Sequence, residues 1–375
     1  MLYLEVDIMI KEFASPSSYV QGKGVLLNSD PYLKNFGKKP LLVTDDDVYK
    51  IVGKKLEDYL TANGYQVDLV KFNGESSTNE IDRISAIGKK DNVSVVYGLG
   101  GGKTSDSAKA VADNLGLPVV IMPTLASADA PCSRLSVIYK DDGSFDHYRF
   151  YSHNPDLVLV DSQVIAGAPA KLLISGIADA LATNVEAQAV AQAGADTMLN
   201  EGQTLVGNAI AQKCEDTLFK YAHIAVADVK HHAFTSALEK VIEANTLMSG
   251  LGFESGGLSG AHAIHDGLTA LEETHALSHG QKVAYGTLTQ LMLEGTDQKR
   301  YNKYFELILS LGLPTTLADL GLADAGDDKL LVAAKAACSE NDTISRLPFK
   351  VTPDDVAQAF RAVDAYTKDY LASHK

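Results

Sequence analysis

The 375-residue sequence has no tryptophan and only three cysteines, at 132, 214 and 338. Odd in number, far apart and outside any C-x-x-C pair, these argue against a disulfide framework and for reduced thiols. Positive charge is scarce as well: 33 Lys and Arg stand against 48 Asp and Glu, a net charge of −15. A nucleic-acid binder needs a basic face, so that class is disfavoured. There is no Lys/Arg-rich amphipathic helix of the membrane-surface kind, and no apolar run approaches the roughly 20 residues that span a bilayer. Glu5, Asp7, Lys11 and Glu12 interrupt the N-terminal stretch, which leaves no apolar core for a secretory signal. A cytoplasmic protein with neither nucleic-acid nor membrane partners is expected.

The apolar fraction is 46%, ordinary for a globular chain with a large core. At roughly 150 residues per domain, the length suggests two domains. Short apolar runs at 40–44, 66–70, 93–97, 118–122 and 157–160 read as strands, and helical spacing at 46–63, 81–87 and 104–115 separates them. Strands alternating with helices imply a parallel sheet covered on both faces. Asp141-Asp-Gly143, between the extended runs 134–139 and 148–152, is a hairpin signal. After Asp161 the texture becomes Ala-rich and helical, with segments expected at 169–195, 201–216, 218–228, 230–250, 258–274, 279–295, 300–311 and 356–370. The boundary is placed at Ala166-Gly-Ala-Pro169, giving an α/β domain over 1–166 and an all-helical domain over 167–375.

Gly98-Leu-Gly-Gly-Gly-Lys-Thr104 follows a strand and opens a helix. Clustered glycines let a ligand approach the backbone, and a helix N-terminus offers free N–H groups and partial positive charge, a pyrophosphate cradle. Two familiar templates fail. The pattern G-x-G-x-x-G needs Gly where Lys103 stands, and the P-loop needs Gly where Tyr97 stands. The plain alternative is a glycine-rich turn, which four glycines and a Lys at such a junction exceed. At the end of the first strand of this region, Asp45 can accept hydrogen bonds from a ribose 2′-hydroxyl and repel a 2′-phosphate, which favours NAD. It can equally be an ordinary helix N-cap.

Four of the ten histidines fall close together, at 262, 265, 275 and 279, with Gly and apolar residues around them. Neutral imidazoles in such a setting are common metal ligands. Spacing does not choose among them: 275 with 279 serves as well as 262 with 279. Asp179, among small and apolar residues on a helix, is costly unless paired, hydrogen-bonded or bound to metal.

Several motifs occur in a fixed order: Tyr19-Val-Gln-Gly22; Gly100-Gly-Gly-Lys103 followed by Asp106 and Lys109; Pro123-Thr-Leu-Ala-Ser-Ala-Asp-Ala-Pro131; Gly176-Ile-Ala-Asp-Ala180; Ala261-His-Ala-Ile-His265; and His279-Gly-Gln-Lys-Val-Ala-Tyr-Gly286. Together they resemble the iron-containing alcohol dehydrogenase superfamily, and within it the zinc-type glycerol dehydrogenases. The resemblance runs along nearly the whole chain. It implies an N-terminal α/β domain for NAD, an all-α C-terminal domain for a metal, as in the dehydroquinate synthase-like fold, and an active site between them. It implies Asp179, His262 and His279 as metal ligands, with His265 and His275 nearby. Gly102 and Lys103 would contact the pyrophosphate region, Gly100, Gly101 and Asp106 would belong to the same cofactor-binding site, and Asp45 would take the adenosine ribose. Thr124, Ser127, Ser133, Leu135 and Tyr139 would line the cofactor path. Asp129 would contact substrate hydroxyls, and the hydroxyl proton would leave through either His265 or ordered water. The implied reaction is oxidation of glycerol or another 1,2-diol, glycerol giving dihydroxyacetone, with hydride passing to NAD. A homo-oligomer, commonly an octamer, is the implied assembly.

One departure bears on the metal. Iron-dependent members carry a further His four residues after the ligand Asp, where this chain has Thr183. Three protein ligands and an open fourth position are the arrangement of catalytic zinc. Within the superfamily, glycerol-1-phosphate dehydrogenase and dehydroquinate synthase handle anionic substrates and should place several cations near the metal. Around 124–135 and 250–285 there are only Arg134 and Lys282. Another small-alcohol dehydrogenase, a phosphate-binding NTPase and a non-catalytic metal-binding module are further alternatives.

Overall fold

The computed structural model describes residues 10–340 and 342–374, apart from the side chain of Phe145. Glu5 and Asp7, which entered the signal-sequence argument, lie outside the described residues. Strands β1 (Tyr19–Gly22), β2 (Pro40–Thr44), β3 (Asp68–Lys71), β4 (Val95–Gly100), β5 (Val119–Pro123) and β8 (Leu157–Asp161) form one sheet in the order β1-β8-β5-β4-β2-β3. Every pairing in it is parallel. The expected hairpin is β6 (Leu135–Tyr139) with β7 (Phe145–Phe150), an antiparallel pair. β1, within Tyr19-Val-Gln-Gly22, was not anticipated as a strand; it is short and half-buried, with little apolar signal.

The strands read as nearly continuous apolar runs because both faces are covered. Leu42, Val95, Tyr97, Leu99, Val120, Met122, Leu157 and Leu159 join one buried cluster with Leu56 and Leu60 of helix α1 (Lys54–Ala62). The alternate residues Leu41, Val96, Ile121 and Val158 are buried on the other face. Helices α2 (Thr78–Asp91) and α3 (Gly102–Leu115) follow β3 and β4. Gly64, which follows the helical spacing at 46–63, has φ of +81°, the left-handed conformation of a C′ residue.

The later helices include α4 (Ala170–Ala193), α5 (Leu205–Lys230), α6 (Gly260–Thr269), α7 (His279–Leu293), α8 (Gln298–Ser310), α9 (Asp327–Ala337) and α10 (Pro353–Ser373). Two expected helices, 201–216 and 218–228, are the single helix α5, and α9 was not anticipated. Two compact units differ from the expected division at 166. Among the described residues, one comprises Ser15–Ile177 and Lys220–Gly250; the other holds 10–14, Ala178–Phe219 and the described residues from Leu251 onward. Polar contacts explain why residues after 220 return to the sheet unit. The Glu239 carboxylate accepts from Gln21 Nε2 at 2.5 Å and Ser162 Oγ at 2.6 Å. Asn245 Nδ2 donates to the Ala126 carbonyl at 2.9 Å. A Cβ on Gly176 would stand 1.9 Å from that same carbonyl, so only glycine lets the helix approach the loop after β5.

Candidate functional site

In the sheet unit, a cleft of about 1100 Å³ lies beyond the carboxyl ends of the strands. The chain passes from β2 to β3 on one side and then to β4 on the other, so a switch point lies between β2 and β4, where such sheets bind ligands. Asp45, Gly101, Gly102, Lys103 and Thr124 line the cleft together with apolar Val48, Ile51, Phe72 and Leu172. Helix α3 opens on Gly101 with no side-chain cap, leaving its first-turn N–H groups to face the cleft. The glycines of the loop divide by role. A Cβ on Gly98 would meet Ala108 Cβ at 2.6 Å, and one on Gly100 would meet Thr104 Oγ1 at 2.5 Å, so these two let α3 lie against β4. A Cβ on Gly102 meets nothing within 4 Å and would project into open space.

Asp45 is both an N-cap and part of the cleft wall. The N–H groups of Asp47 and Val48 both donate to its Oδ1, each at 2.9 Å. Lys103 reaches Glu75 Oε2 at 2.7 Å, with its ammonium over the Tyr139 ring. Thr124 Oγ1 is buried without a hydrogen-bond partner among the described residues, an orphaned hydroxyl at the edge of a polar-lined space. Gly100, Asp106, Ser127, Ser133, Leu135 and Tyr139 are not part of this lining. Asp106, expected among the cofactor-binding residues, is buried in an ion pair with Lys109 at 2.9 Å, and its Oδ2 accepts from the Val137 N–H. Lys109 also donates to the carbonyls of Ala130 and Leu135. This pair ties α3 to β6 and to the turn before it. Ser133 Oγ bonds carbonyls of its own turn. Asp129 is buried and accepts from Ser249 Oγ at 3.0 Å.

In the helical unit, Asp179 on α4, His262 on α6 and His279 at the start of α7 converge, each offering one ligand atom within 4.8 Å of the others. Local sequence places each. Ser278 and Gln281 form a capping box, with Gln281 N donating to Ser278 Oγ and Ser278 N to Gln281 Oε1, which fixes His279 as the first helical residue. A Cβ on Gly286 would lie 2.3 Å from the Ala261 carbonyl, so glycine there lets α7 press against α6. Ala182, Ala261 and Val283 form a tight buried cluster where the three helices meet.

His279 Nε2 lies 3.0 Å and His262 Nε2 3.3 Å from Asp179 Oδ1. Asp179 Oδ2 is fully buried and has no hydrogen-bond partner among the described residues. A buried carboxylate oxygen left in that state is costly unless a cation takes it. Burial would push the Asp179 pKa up, but His279 and His262 hold it below the usual carboxylate range. Burial would push His262 down, but Glu186 and Asp179 on its two sides hold it well above the usual imidazole value. One carboxylate and two imidazoles, with a second carboxylate behind, thus form a donor set suited to a divalent cation.

The other histidines sort clearly. His265 has both ring nitrogens engaged: Nδ1 with Asp266 Oδ1 at 2.9 Å and Nε2 with His279 Nδ1 at 3.0 Å. Because Asp266 accepts, His265 donates from Nδ1, and its Nε2 accepts from His279; the Nε2 of His279 is thereby left for a ligand role. Burial, helped by His279, pushes His265 down to about 4, which keeps it neutral. His265, one of the two candidate routes for the proton, is thus in direct contact with His279. His275 is exposed, its Nε2 at the Thr269 carbonyl, outside the cluster. Glu186 and Asp266 were not singled out from sequence; the available signal for Glu186 was its place seven residues after Asp179 in an apolar helix.

The iron-containing alcohol dehydrogenase family model matches residues 16–162. A glycolaldehyde reductase of Halobacterium salinarum is 46% identical over 95% of this chain and 98% of its own. A glycerol dehydrogenase of Escherichia coli is 45% identical over 95% of this chain and 97% of its own. The crystal structure of glycerol dehydrogenase from Schizosaccharomyces pombe superposes with a TM-score of 0.94 at 41% identity, covering 98% of this chain and 93% of that one. Motif order, parallel sheet and full-length similarity agree that the chain belongs to the iron-containing alcohol dehydrogenase family and stands among its glycerol dehydrogenases.

Proposed function

We propose that the protein oxidises glycerol and related 1,2-diols with NAD, assisted by one zinc ion held by Asp179, His262 and His279; glycerol gives dihydroxyacetone. The observation that carries this reading is the convergence of those three side chains around an unpartnered Asp179 Oδ2, in a chain of glycerol dehydrogenase similarity over nearly its full length. The chemistry that bound groups supply is polarisation of the alcohol oxygen by zinc and acceptance of hydride by NAD. Zinc is favoured over iron because Thr183 stands where a third imidazole, the fourth protein ligand, is expected in iron-dependent relatives, leaving three ligands and an open position.

Asp45, Gly101, Gly102, Lys103 and Thr124 are the proposed NAD contacts. The uncapped N-terminus of α3 would face the pyrophosphate, and the Asp45 carboxylate would accept from the adenosine ribose. Gly100 and Asp106 act indirectly, by packing α3 on β4 and by anchoring β6. Ser127, Ser133, Leu135 and Tyr139 are proposed for the farther reach of the cofactor. Asp129, held by Ser249, would accept a hydrogen bond from the substrate hydroxyl next to the reacting one, which favours diols over simple alcohols. His265 orients His279, and the hydroxyl proton leaves by water. A homo-oligomer, an octamer by family resemblance, in the cytoplasm completes the proposal.

The Halobacterium relative supports a second reading, reduction of a small hydroxyaldehyde, the same chemistry run toward the alcohol. One panel separates the two. NADH formation with glycerol and propane-1,2-diol, and NADH consumption with glycolaldehyde, are measured beside elemental analysis of the purified protein. Diol oxidation with stoichiometric zinc, abolished by a chelator while NAD still binds, is the expected result. Bound NAD with no turnover of any diol would sink the first reading, and a strong preference for glycolaldehyde would favour the second.

A further inference from the structure

We propose, resting on the reading of Asp179, His262 and His279 as metal ligands, that Glu186 is a positioning residue: its carboxylate holds His262 in the tautomer and ring orientation that present Nε2 to the ion. Asp179 and Glu186 stand seven residues apart on α4, two helical turns, and so share one face. Both are 0% exposed. A carboxylate buried so completely is tolerated only when its oxygens are well bonded.

Every hydrogen bond shown for Glu186 goes to His262 or to the end of the helix that carries it. His262 Nδ1 donates to Glu186 Oε2 at 2.6 Å. The backbone N–H groups of Ser259 and His262 donate to Oε1 at 2.9 and 3.0 Å. Ser259 is the N-cap of α6 and makes no side-chain cap bond, so Glu186 meets the helix's unfilled donors from a neighbouring helix. One rigid group thus fixes both the backbone and the ring of His262. The ionised carboxylate only accepts, so Nδ1 carries the proton and Nε2 turns toward Asp179. Glu186 lies on the Nδ1 side of the ring and is not among the converging ligand atoms, which makes it an orienting partner rather than a fourth ligand. His279, by contrast, is held by an imidazole, that of His265, rather than by a carboxylate. An anionic acceptor strengthens its imidazole as a donor to metal more than a neutral one does.

The test compares metal-stripped native protein with Glu186→Gln and Glu186→Asp, titrating Zn²⁺ against a chromophoric chelator and Co²⁺ by its visible spectrum. An amide at 186 cannot accept from both Nδ1–H and the two backbone N–H groups, because one end is a donor. Glu186→Gln should weaken Zn²⁺ binding by roughly 10–100-fold and alter the Co²⁺ bands. Glu186→Asp, which keeps the charge, should recover part of the affinity, and NAD affinity of the metal-free protein should stay within about twofold. Zn²⁺ affinity of Glu186→Gln within about threefold of native overturns the proposal. So does failure of both variants to fold without metal, which would make the carboxylate a requirement of the fold itself. Native protein that takes up no Zn²⁺ would instead overturn the metal-site reading on which the proposal stands.

Discussion

The ligand cluster of the helical unit and the cleft of the sheet unit solve opposite binding problems with different materials. The cluster concentrates side chains: two carboxylates at 0% exposure, two imidazoles facing Asp179, and further groups behind them that fix each ring. The cleft concentrates backbone: an uncapped helix end, glycines without side chains, and Asp45, whose Oδ1 is already used as a cap. The difference follows charge. A small cation is best met by converging anionic and lone-pair donors held at short range in a dry place. A long anionic cofactor is best met by dipoles and N–H groups along an open surface, where net negative charge elsewhere on the chain matters little because salt screens it within about 10 Å. The −15 charge is therefore no obstacle to NAD.

The contrast can be broken most sharply from the side of the cluster. His262→Ala or His279→Ala should remove bound zinc and lower diol oxidation by roughly a thousandfold or more, since Lewis-acid assistance supplies several kcal/mol. NAD binding should survive. Elemental analysis and initial rates check this; either variant with full zinc and full rate would show the ligand assignment to be wrong.

The glycine loop should respond differently at two positions two residues apart. Gly100→Ala forces a Cβ to within 2.5 Å of Thr104 Oγ1 and should destabilise the fold, by about 1–3 kcal/mol as for other overpacked sites. Gly102→Ala has nothing within 4 Å and should be neutral, or stabilise by about 0.4–1 kcal/mol through the unfolded state. Yet it should raise the KM for NAD, because its methyl projects into the cleft. Thermal denaturation and NAD titration on both variants would show whether packing and binding divide as described. If Gly102→Ala leaves NAD affinity untouched, the loop is not the pyrophosphate site.

The smallest effect is expected at Asp45. Asp45→Ala removes an N-cap, at a cost of about 1 kcal/mol, and weakens NAD relative to NADP. The ratio of the two dissociation constants is the measurement; an unchanged ratio would leave Asp45 as a cap alone.

Much of the sheet unit was legible locally. β2, β4, β5 and β8 are apolar runs long enough to mark themselves, and the helices between them carry their own caps and periodicity. β1 and α9 were not legible, because a short half-buried strand and an Ala-rich helix have weak patterns until neighbours cover them. The division at 166 was drawn from a change of texture, but Glu239 and Asn245 return to the sheet unit through hydrogen bonds across long sequence separations. At the cluster, spacing left His275 and His262 as equal partners for His279. The motif order separated them, and the structure places His275 at the surface.

What the sequence by itself determined is what local physics decides: alternation that demands a covered parallel sheet, a glycine loop where strand meets helix, a capping box that starts a helix at His279. What only the tertiary structure decided is convergence. Asp179 and His279 are 100 residues apart in the chain, and they meet because Ala182, Ala261, Val283 and Gly286 are small enough for three helices to close on one another. Helical spacing fixes which face of a helix a residue occupies, but only packing decides which faces meet. Glu186 shows the same limit: the helix sets it on the face of Asp179, and only the fold reveals that it grips His262.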